Sequence, residues 1–311
     1  MTRHFLSIDD VSVVELNRIL ELAEQIKTET KAGNRKPYLA GKVLALIFEK
    51  QSLRTRVSFE SGMTHLGGSS QFLGADVGFG KRESTKDFAG VLSSMVDVIA
   101  FRAKKHESVV ELAKYSSCPV INALTDKSHP CQALADILTV KEKFGKLRGL
   151  KIAWIGDANN VAASLIKASL KLGVEVVLGT PEKYQFDEET IKELTAFDPK
   201  YKLVMTTDPK EAVKGAHAVY TDVWASMGQE AEEEQRKKDF ADYQVNAKLM
   251  AEADKNAIFL HCLPAKRGQE VTDEVMDSPQ SAIVHQAENR MHAQKGLLVW
   301  LLNPSIMESS S

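Results

Sequence analysis

KVLALIFEKQSLRTRVSFESGMTHLGG, residues 42–68, frames the reading of the whole chain. Its first part, KVLALIFEK at 42–50, reads as a buried strand. RTRVSFESGMTH then follows helical spacing and stops at Gly67–Gly68, where left-handed backbone costs little. A buried strand that runs straight into a helix is half of a crossover unit, and the pattern repeats downstream. SSQFLG, DVIAFR and PVINAL read as strands. STKDFAGVLSSMV, with Ser84 or Thr85 as cap, and HESVVELAKYSS read as helices. HPCQALADILTVKEKFG is a longer helix with Pro130 in its first turn, where no amide bond is lost. Before all of these, SIDDVSVVELNRILELAEQIKTE has helical spacing with Ser7 or Asp9 as its cap.

Gly145 and Gly149 mark a boundary, after which a second series begins. KIAWIGD, EVVLGTP, KLVMTTD, AVYTDV and AIFLHCL read as strands, and AENRMHAQKGLLVWLL as a closing helix. Strands alternating with helices imply right-handed crossovers and parallel sheets covered on both faces. The expected fold class is therefore α/β, with two doubly wound parallel-sheet domains joined by interdomain helices. The expected domains are 1–147 and 148–287, with a C-terminal helix in 288–311 packing back on the first.

Composition narrows the function. The chain has 311 residues, enough for two cores, with 43% hydrophobic and 26% charged residues. A formal net charge of −2 supplies no global field to recruit nucleic acid or an anionic membrane, so neither is an expected partner. Cys118, Cys131 and Cys262 are odd in number and widely spaced. That argues against a disulfide framework or zinc knuckle and for a reducing compartment. The start, MTRHFLSIDDVSVVEL, has no long apolar run, so no signal peptide or membrane span is expected, and the expected location is the cytoplasm.

In open parallel sheets, ligands bind beyond the carboxyl ends of strands, where the strand order reverses. Polar clusters fall at those ends: Ser52-Leu53-Arg54-Thr55, Arg102, His129-Pro130-Cys131-Gln132, Asp157-Ala158-Asn159-Asn160, Asp222 with Ser226-Met227-Gly228, and His261-Cys262-Leu263-Pro264. The first combines a helix N-terminus, hydroxyls and guanidinium, which is either a phosphate cradle or a capped surface helix with solvated arginines. His129 at a helix start either packs or, kept neutral by the dipole, donates to a carbonyl oxygen that Arg102 also serves. Gly156 alone does not make a dinucleotide fingerprint, and Asn159–Asn160 either cap a helix or receive a zwitterion. Cys262 is either an inert packing group or the start of a turn whose carbonyls accept from an amine. Neither His261–Cys262 nor His129–Cys131 has metal spacing. The run GQEAEEEQRKKDFADY, 228–243, reads as a solvated helix with paired charges, and its start at Ser226-Met227-Gly228 as a hinge able to close over a substrate.

Taken together and in order, SLRTR (52–56), HPCQALAD (129–136), DVWASMG (222–228) and HCLPAKRGQEV (261–271) resemble the motifs of the aspartate/ornithine transcarbamylase family, most closely its ornithine-using members. The resemblance extends over essentially the whole chain. It implies that the first domain binds carbamoyl phosphate and the second L-ornithine, giving L-citrulline and phosphate in arginine biosynthesis. It also implies a homotrimer with active sites near subunit interfaces, and no cofactor or metal. By matching positions, Ser52, the Leu53 amide, Arg54 and Thr55 hold the phosphate. Arg102, His129 and Gln132 engage the carbamoyl group, and Arg290 completes that site. Asn160, Asp222, Ser226 and Met227 bind ornithine, while Cys262 and Leu263 line the place of the attacking amine and border the carbamoyl phosphate. Arg102, His129, Asp222 and Cys262 are the expected catalytic set, with Cys262 not a covalent nucleophile.

Two positions depart from the family pattern. Leu53 stands where a threonine is usual, and Gly78 stands where a polar residue commonly reaches a neighbouring subunit. The alternatives are a transcarbamylase for N-acylated ornithine, putrescine or aspartate, and a non-catalytic homologue that senses a ligand.

Overall fold

The computed structural model describes residues 2–196, 203–225 and 230–303. The chain divides into two compact units, residues 1–138 with 288–311 and residues 139–287.

In the first unit the chain runs α1 (Val13–Lys31), β1 (Val43–Phe48), α2 (Leu53–His65), β2 (Ser69–Leu73), α3 (Thr85–Met95), β3 (Val98–Arg102), α4 (His106–Tyr115), β4 (Val120–Leu124) and α5 (Pro130–Phe144), the last helix continuing into the second unit. The strands are parallel in the order β2-β1-β3-β4. The chain leaves β1 for one neighbour and returns on the other side, so the order reverses between β1 and β3, whose ends meet in register at Phe48 and Arg102. One face of the sheet packs Ile47, Ile99 and Phe101 against Phe88, Val109 and Leu112 of the flanking helices.

The second unit runs β5 (Lys151–Ile155), α6 (Asn160–Lys171), β6 (Glu175–Gly179), α7 (Glu188–Thr195), β7 (Val204–Thr206), α8 (Pro209–Val213), β8 (Ala218–Thr221), α9 (Glu233–Asp239), α10 (Ala247–Met250), β9 (Ile258–His261) and α11 (Asp273–Met276). Its parallel order is β7-β6-β5-β8-β9, with the reversal between β5 and β8. The closing helix α12 (Ile283–Leu302) begins in this unit and continues in the first. The α/β class and parallel sheets are as the alternating pattern requires.

Two local readings need correction. The cap of α1 is Ser12, not Ser7 or Asp9. Ser12 Oγ accepts from the Glu15 amide at 3.3 Å and Glu15 accepts from the Ser12 amide at 2.8 Å, a reciprocal pair that sets the helix start. Ser7 instead caps the single turn Ile8–Asp10. Phe5, in no named strand, bridges in parallel to Ile121, a single-residue pairing too short to leave a period in the sequence. The run 228–243 is not one solvated helix: its described part is α9 between two short 3₁₀ turns, and Arg236 within it is buried.

Within the first unit, α12 lies close against α1 at Gly296. A Cβ there would stand 2.5 Å from the Ile19 carbonyl oxygen and 2.8 Å from the Ala23 amide nitrogen, both backbone atoms that cannot swing away. Gly296→Ala would gain up to about 1 kcal/mol of helix propensity but incur an overpacking cost of about 1–3 kcal/mol. The expected result is a melting temperature lowered by a few degrees in a thermal scan. An unchanged or raised melting temperature would show that the helices are free to separate.

Candidate active site

In the first unit, the sheet reversal brings the end of β1 beside the end of β3. Ser52 caps α2: its Oγ accepts from the Thr55 amide at 3.3 Å and donates to Thr55 Oγ1 at 3.0 Å. Thr55 is buried and also accepts from Arg290 Nη2 at 2.9 Å. A hydroxyl has two lone pairs and one proton. With both lone pairs of Thr55 taken, its proton is left to donate to a further oxygen. Arg290, on α12, uses Nη1 to reach Gln132 Oε1 at 2.8 Å, and Gln132 Nε2 donates to Asp136 at 2.8 Å. Both ends of the Gln132 amide are thereby oriented.

His129 immediately precedes α5, and its carbonyl accepts from the Gln132 and Ala133 amides, so it occupies the cap position. Its ring is buried. Burial first, then the neighbouring guanidiniums of Arg290 and Arg102, hold the imidazole well below its ordinary value. It is neutral at pH 7. Arg102 closes β3 and is itself buried. Arg54 lies half-buried in the first turn of α2, and the Leu53 side chain is 74% exposed. Arg56 belongs elsewhere: its guanidinium lies 3.8 Å over the Phe72 ring and 3.2 Å from Glu60. Cys131 is an inert packing group, its thiol pushed up to about 12 by burial.

In the second unit the same rule applies at the β5/β8 reversal. Asp222 follows β8 and is buried. Its Oδ2 accepts from Asn159 Nδ2 at 2.9 Å, and its Oδ1 accepts from the Cys262 thiol at 3.0 Å and from the Val223 amide at 2.8 Å. Asn159 also caps α6, which places Asn160 in that helix's first turn. Cys262 thus lies beyond the last residue of β9 with its sulfur turned to Asp222. Leu263 adopts φ 59°, a left-handed conformation that costs an L-residue roughly 1–2 kcal/mol. Its amide is held at 2.9 Å by His261 Nδ1, while His261 Nε2 sits 3.2 Å from the buried Glu270. Since Nδ1 accepts, the proton lies on Nε2 and points to Glu270.

Asp222, His261 and Cys262 bring three ligand atoms within 4.8 Å of one another. A metal there would have to break a bond to Leu263 or Glu270 to gain a histidine nitrogen. Ser226 and Met227 lie outside the described residues. Gly78 has φ 71°, and its carbonyl accepts from the Lys81 amide at 2.9 Å, so the backbone turn itself calls for glycine.

Residues 3–142 match the carbamoyl-P binding domain of aspartate/ornithine carbamoyltransferase, and residues 148–301 match that family's Asp/Orn binding domain. The chain belongs to the aspartate/ornithine carbamoyltransferase family. It is 52% identical over 303 residues to the ornithine carbamoyltransferase of Methanocorpusculum labreanum, covering 97% of this chain and 99% of that one. It is 50% identical to the anabolic ornithine carbamoyltransferase of Pyrococcus furiosus over 96% of each chain. Among solved structures, ornithine carbamoyltransferase from Pyrococcus furiosus superposes with a TM-score of 0.93 over 96% of this chain and 97% of that one, at 50% identity. The Thermus thermophilus enzyme does so with a TM-score of 0.88, covering 97% and 100%, at 44% identity.

Of the residues singled out from the motifs, Ser52, Thr55, Gln132 and Arg290 form one bonded cluster beside His129 and Arg102. Asp222 and Cys262 form the core of the other. The sequence reading passed over the bond from Asn159 to Asp222 and the support of His261 by Glu270. Asn159 carried a signal, its place before an apolar helix; Glu270 carried none, because its partner lies nine residues away across a turn.

The neutrality of His129 is directly testable. Ring nitrogen shifts followed by NMR should place the protonation midpoint of His129 well below the ordinary histidine value, with the imidazole neutral at pH 7. A midpoint above about 6.5, the ordinary histidine value, would mean that neither burial nor the two arginines act as described.

Proposed function

We infer that the chain transfers the carbamoyl group of carbamoyl phosphate to the δ-amine of L-ornithine, giving L-citrulline and phosphate. The observation that carries this reading is the Thr55–Arg290–Gln132 cluster beside neutral His129 and Arg102. It is an anion site with donors for a carbonyl oxygen as well, on the segment that matches the carbamoyl-P binding domain. Near-full-length relatives named ornithine carbamoyltransferase support the choice of amine.

In this reading the first unit is the carbamoyl-phosphate domain and the second the ornithine domain. Ser52, the Leu53 amide, Arg54 and Arg290 hold the phosphate. Thr55 directs its remaining proton, and Arg102 and His129 their N–H groups, to the carbamoyl oxygen, with Gln132 orienting the carbamoyl group. Asp222 pairs with the α-ammonium of ornithine, beside Asn160, Ser226 and Met227. Cys262 and Leu263 line the δ-amine. That amine, with a solution pKa near 10, must give up a proton before it attacks. Attack forms the new C–N bond and places negative charge on the carbonyl oxygen. The C–O bond to phosphate then breaks, and the phosphate leaves with the electron pair and accepts the amine's second proton. Removing one donor from a developing oxyanion costs a factor of about 10²–10³ in turnover.

The working form is a homotrimer in the cytoplasm. Helices α2 and α3 leave Leu53, Val57, Val91 and Met95 in solvent, large apolar side chains that self-association would cover. Among the described residues no helix is long and apolar enough to cross a membrane. Sedimentation equilibrium should give three chain masses; a single chain mass would overturn the oligomer.

The activity is tested by offering carbamoyl phosphate with ornithine, putrescine, N-acetylornithine and aspartate in parallel and measuring ureido product. Ornithine should be the preferred acceptor. Product from none of them would favour a ligand sensor. Cys262→Ala should raise KM for ornithine and lower turnover by about tenfold or more, the size of a lost bond to a charged group. Binding of a phosphonate analogue of carbamoyl phosphate should be unaffected, and its loss would contradict the placement of Cys262 in the ornithine half.

A further inference from the structure

Arg236 sits in a run of charges, yet it is only 6% exposed. Its Nη1 donates to the Trp224 carbonyl at 2.9 Å and lies 3.2 Å from Asp157 Oδ2, and its Nε donates to Glu232 at 3.0 Å. The guanidinium also lies 4.7 Å over the Tyr184 ring. These partners are not scattered. Trp224 is two residues beyond Asp222, and its ring stacks on Phe240 just past α9, with centroids 5.9 Å apart. Asp157 opens the turn that leads to Asn159 and Asn160. Three residues before Arg236 on the same helix, Glu233 accepts from Lys266 Nζ at 2.8 Å, which ties in the turn that begins at Cys262. Helix α9 therefore touches all three turns assigned to the amino-acid substrate, although no residue of α9 has a part in the chemistry.

We propose that Arg236 is a positioning residue for the amino-acid substrate: through Asp157 and the Trp224 carbonyl it locks the turns 157–160 and 222–225 in the arrangement that receives ornithine. This rests on the ornithine reading above. The guanidinium fork is needed because one group must satisfy a carboxylate, a carbonyl and a second carboxylate at fixed angles, which a lysine ammonium does not reproduce. Leaving buried Asp157 without its cation would carry a large penalty, so the pair stands or falls together.

The lock also responds to pH. Asp157 faces Arg236, Asp222 and Glu232, and burial, the largest influence, raises its carboxyl to about 6 in spite of Arg236. Above that value it is a carboxylate paired with Arg236; below it the pairing charge is lost. L-norvaline isolates this effect, because it is the ornithine skeleton without the δ-amine and does not itself titrate in this range. Its inhibition constant against ornithine should rise as pH falls through about 6. In Asp157→Asn, norvaline should bind weakly and with no such dependence.

Arg236→Lys and Arg236→Gln should raise KM for ornithine by about tenfold or more, as expected for losing charge-assisted bonds. The carbamoyl-phosphate analogue should bind these variants within about twofold of the parent. Unchanged ornithine KM in Arg236→Gln would overturn the proposal. So would a parallel loss of analogue binding and melting temperature, which would make Arg236 merely structural, and so would a norvaline profile that keeps its acid limb in Asp157→Asn. If the parent enzyme makes no citrulline from ornithine, the functional reading itself fails, and that outcome is separate from all of these.

Discussion

The buried guanidinium of Arg290 is the point on which the polar cluster of the first unit depends. It joins Thr55 and Gln132, residues 235 and 158 positions away in the chain, at 2.9 and 2.8 Å. A buried arginine demands well-placed acceptors, and here the acceptors are side chains whose remaining donors are thereby aimed. The Thr55 hydroxyl must turn its proton outward, and the Gln132 amide is pinned by Asp136 at its other end. Burial first, and then the same arginine and Arg102, keep His129 neutral and so fit to donate to an oxygen rather than to compete as a cation. One residue of the closing helix thus sets the geometry of groups on two others and adds to the burial that keeps His129 neutral.

The second unit answers the same problem with a carboxylate. Asp222 takes bonds from Asn159, Val223 and Cys262, so the ends of β5, β8 and β9 are joined through a single side chain. The left-handed Leu263 is the counterpart cost, offset by its bond to His261, whose tautomer Glu270 fixes. In both units the polar hub lies where the strand order reverses, β1/β3 in one and β5/β8 in the other. At those places the two crossover helices diverge, and the strand ends are left open to a ligand.

Much of this was legible because it repeats. Unbroken apolar runs such as 43–48 and 152–155, separated by helical spacing, require buried parallel strands wherever they occur. The polar clusters at strand ends followed from that placement, and the four motifs narrowed them to one family. What stayed hidden was local competition and distant pairing. Ser7 and Ser12 are both acceptable caps by residue type; the Ser12–Glu15 reciprocity decided for Ser12. Arg236 looked like one more charge on a solvated helix, because a run of Glu, Lys and Arg carries no periodic sign of the single buried member. Gly78 looked like a missing side chain, whereas its positive φ makes it a backbone requirement.

The amino-acid sequence by itself determined the order of strands and helices, the parallel class and the residue types gathered at strand ends, since each depends on periodicity and on neighbours a few positions apart. Only the tertiary structure decided which of those residues touch. The bonds from Arg290 to Thr55, from Asn159 to Asp222 and from Arg236 to Asp157 join segments whose separation along the chain leaves no local trace. Burial, which keeps His129 neutral and lifts Asp157 to about 6, likewise exists only once the chain has closed around them.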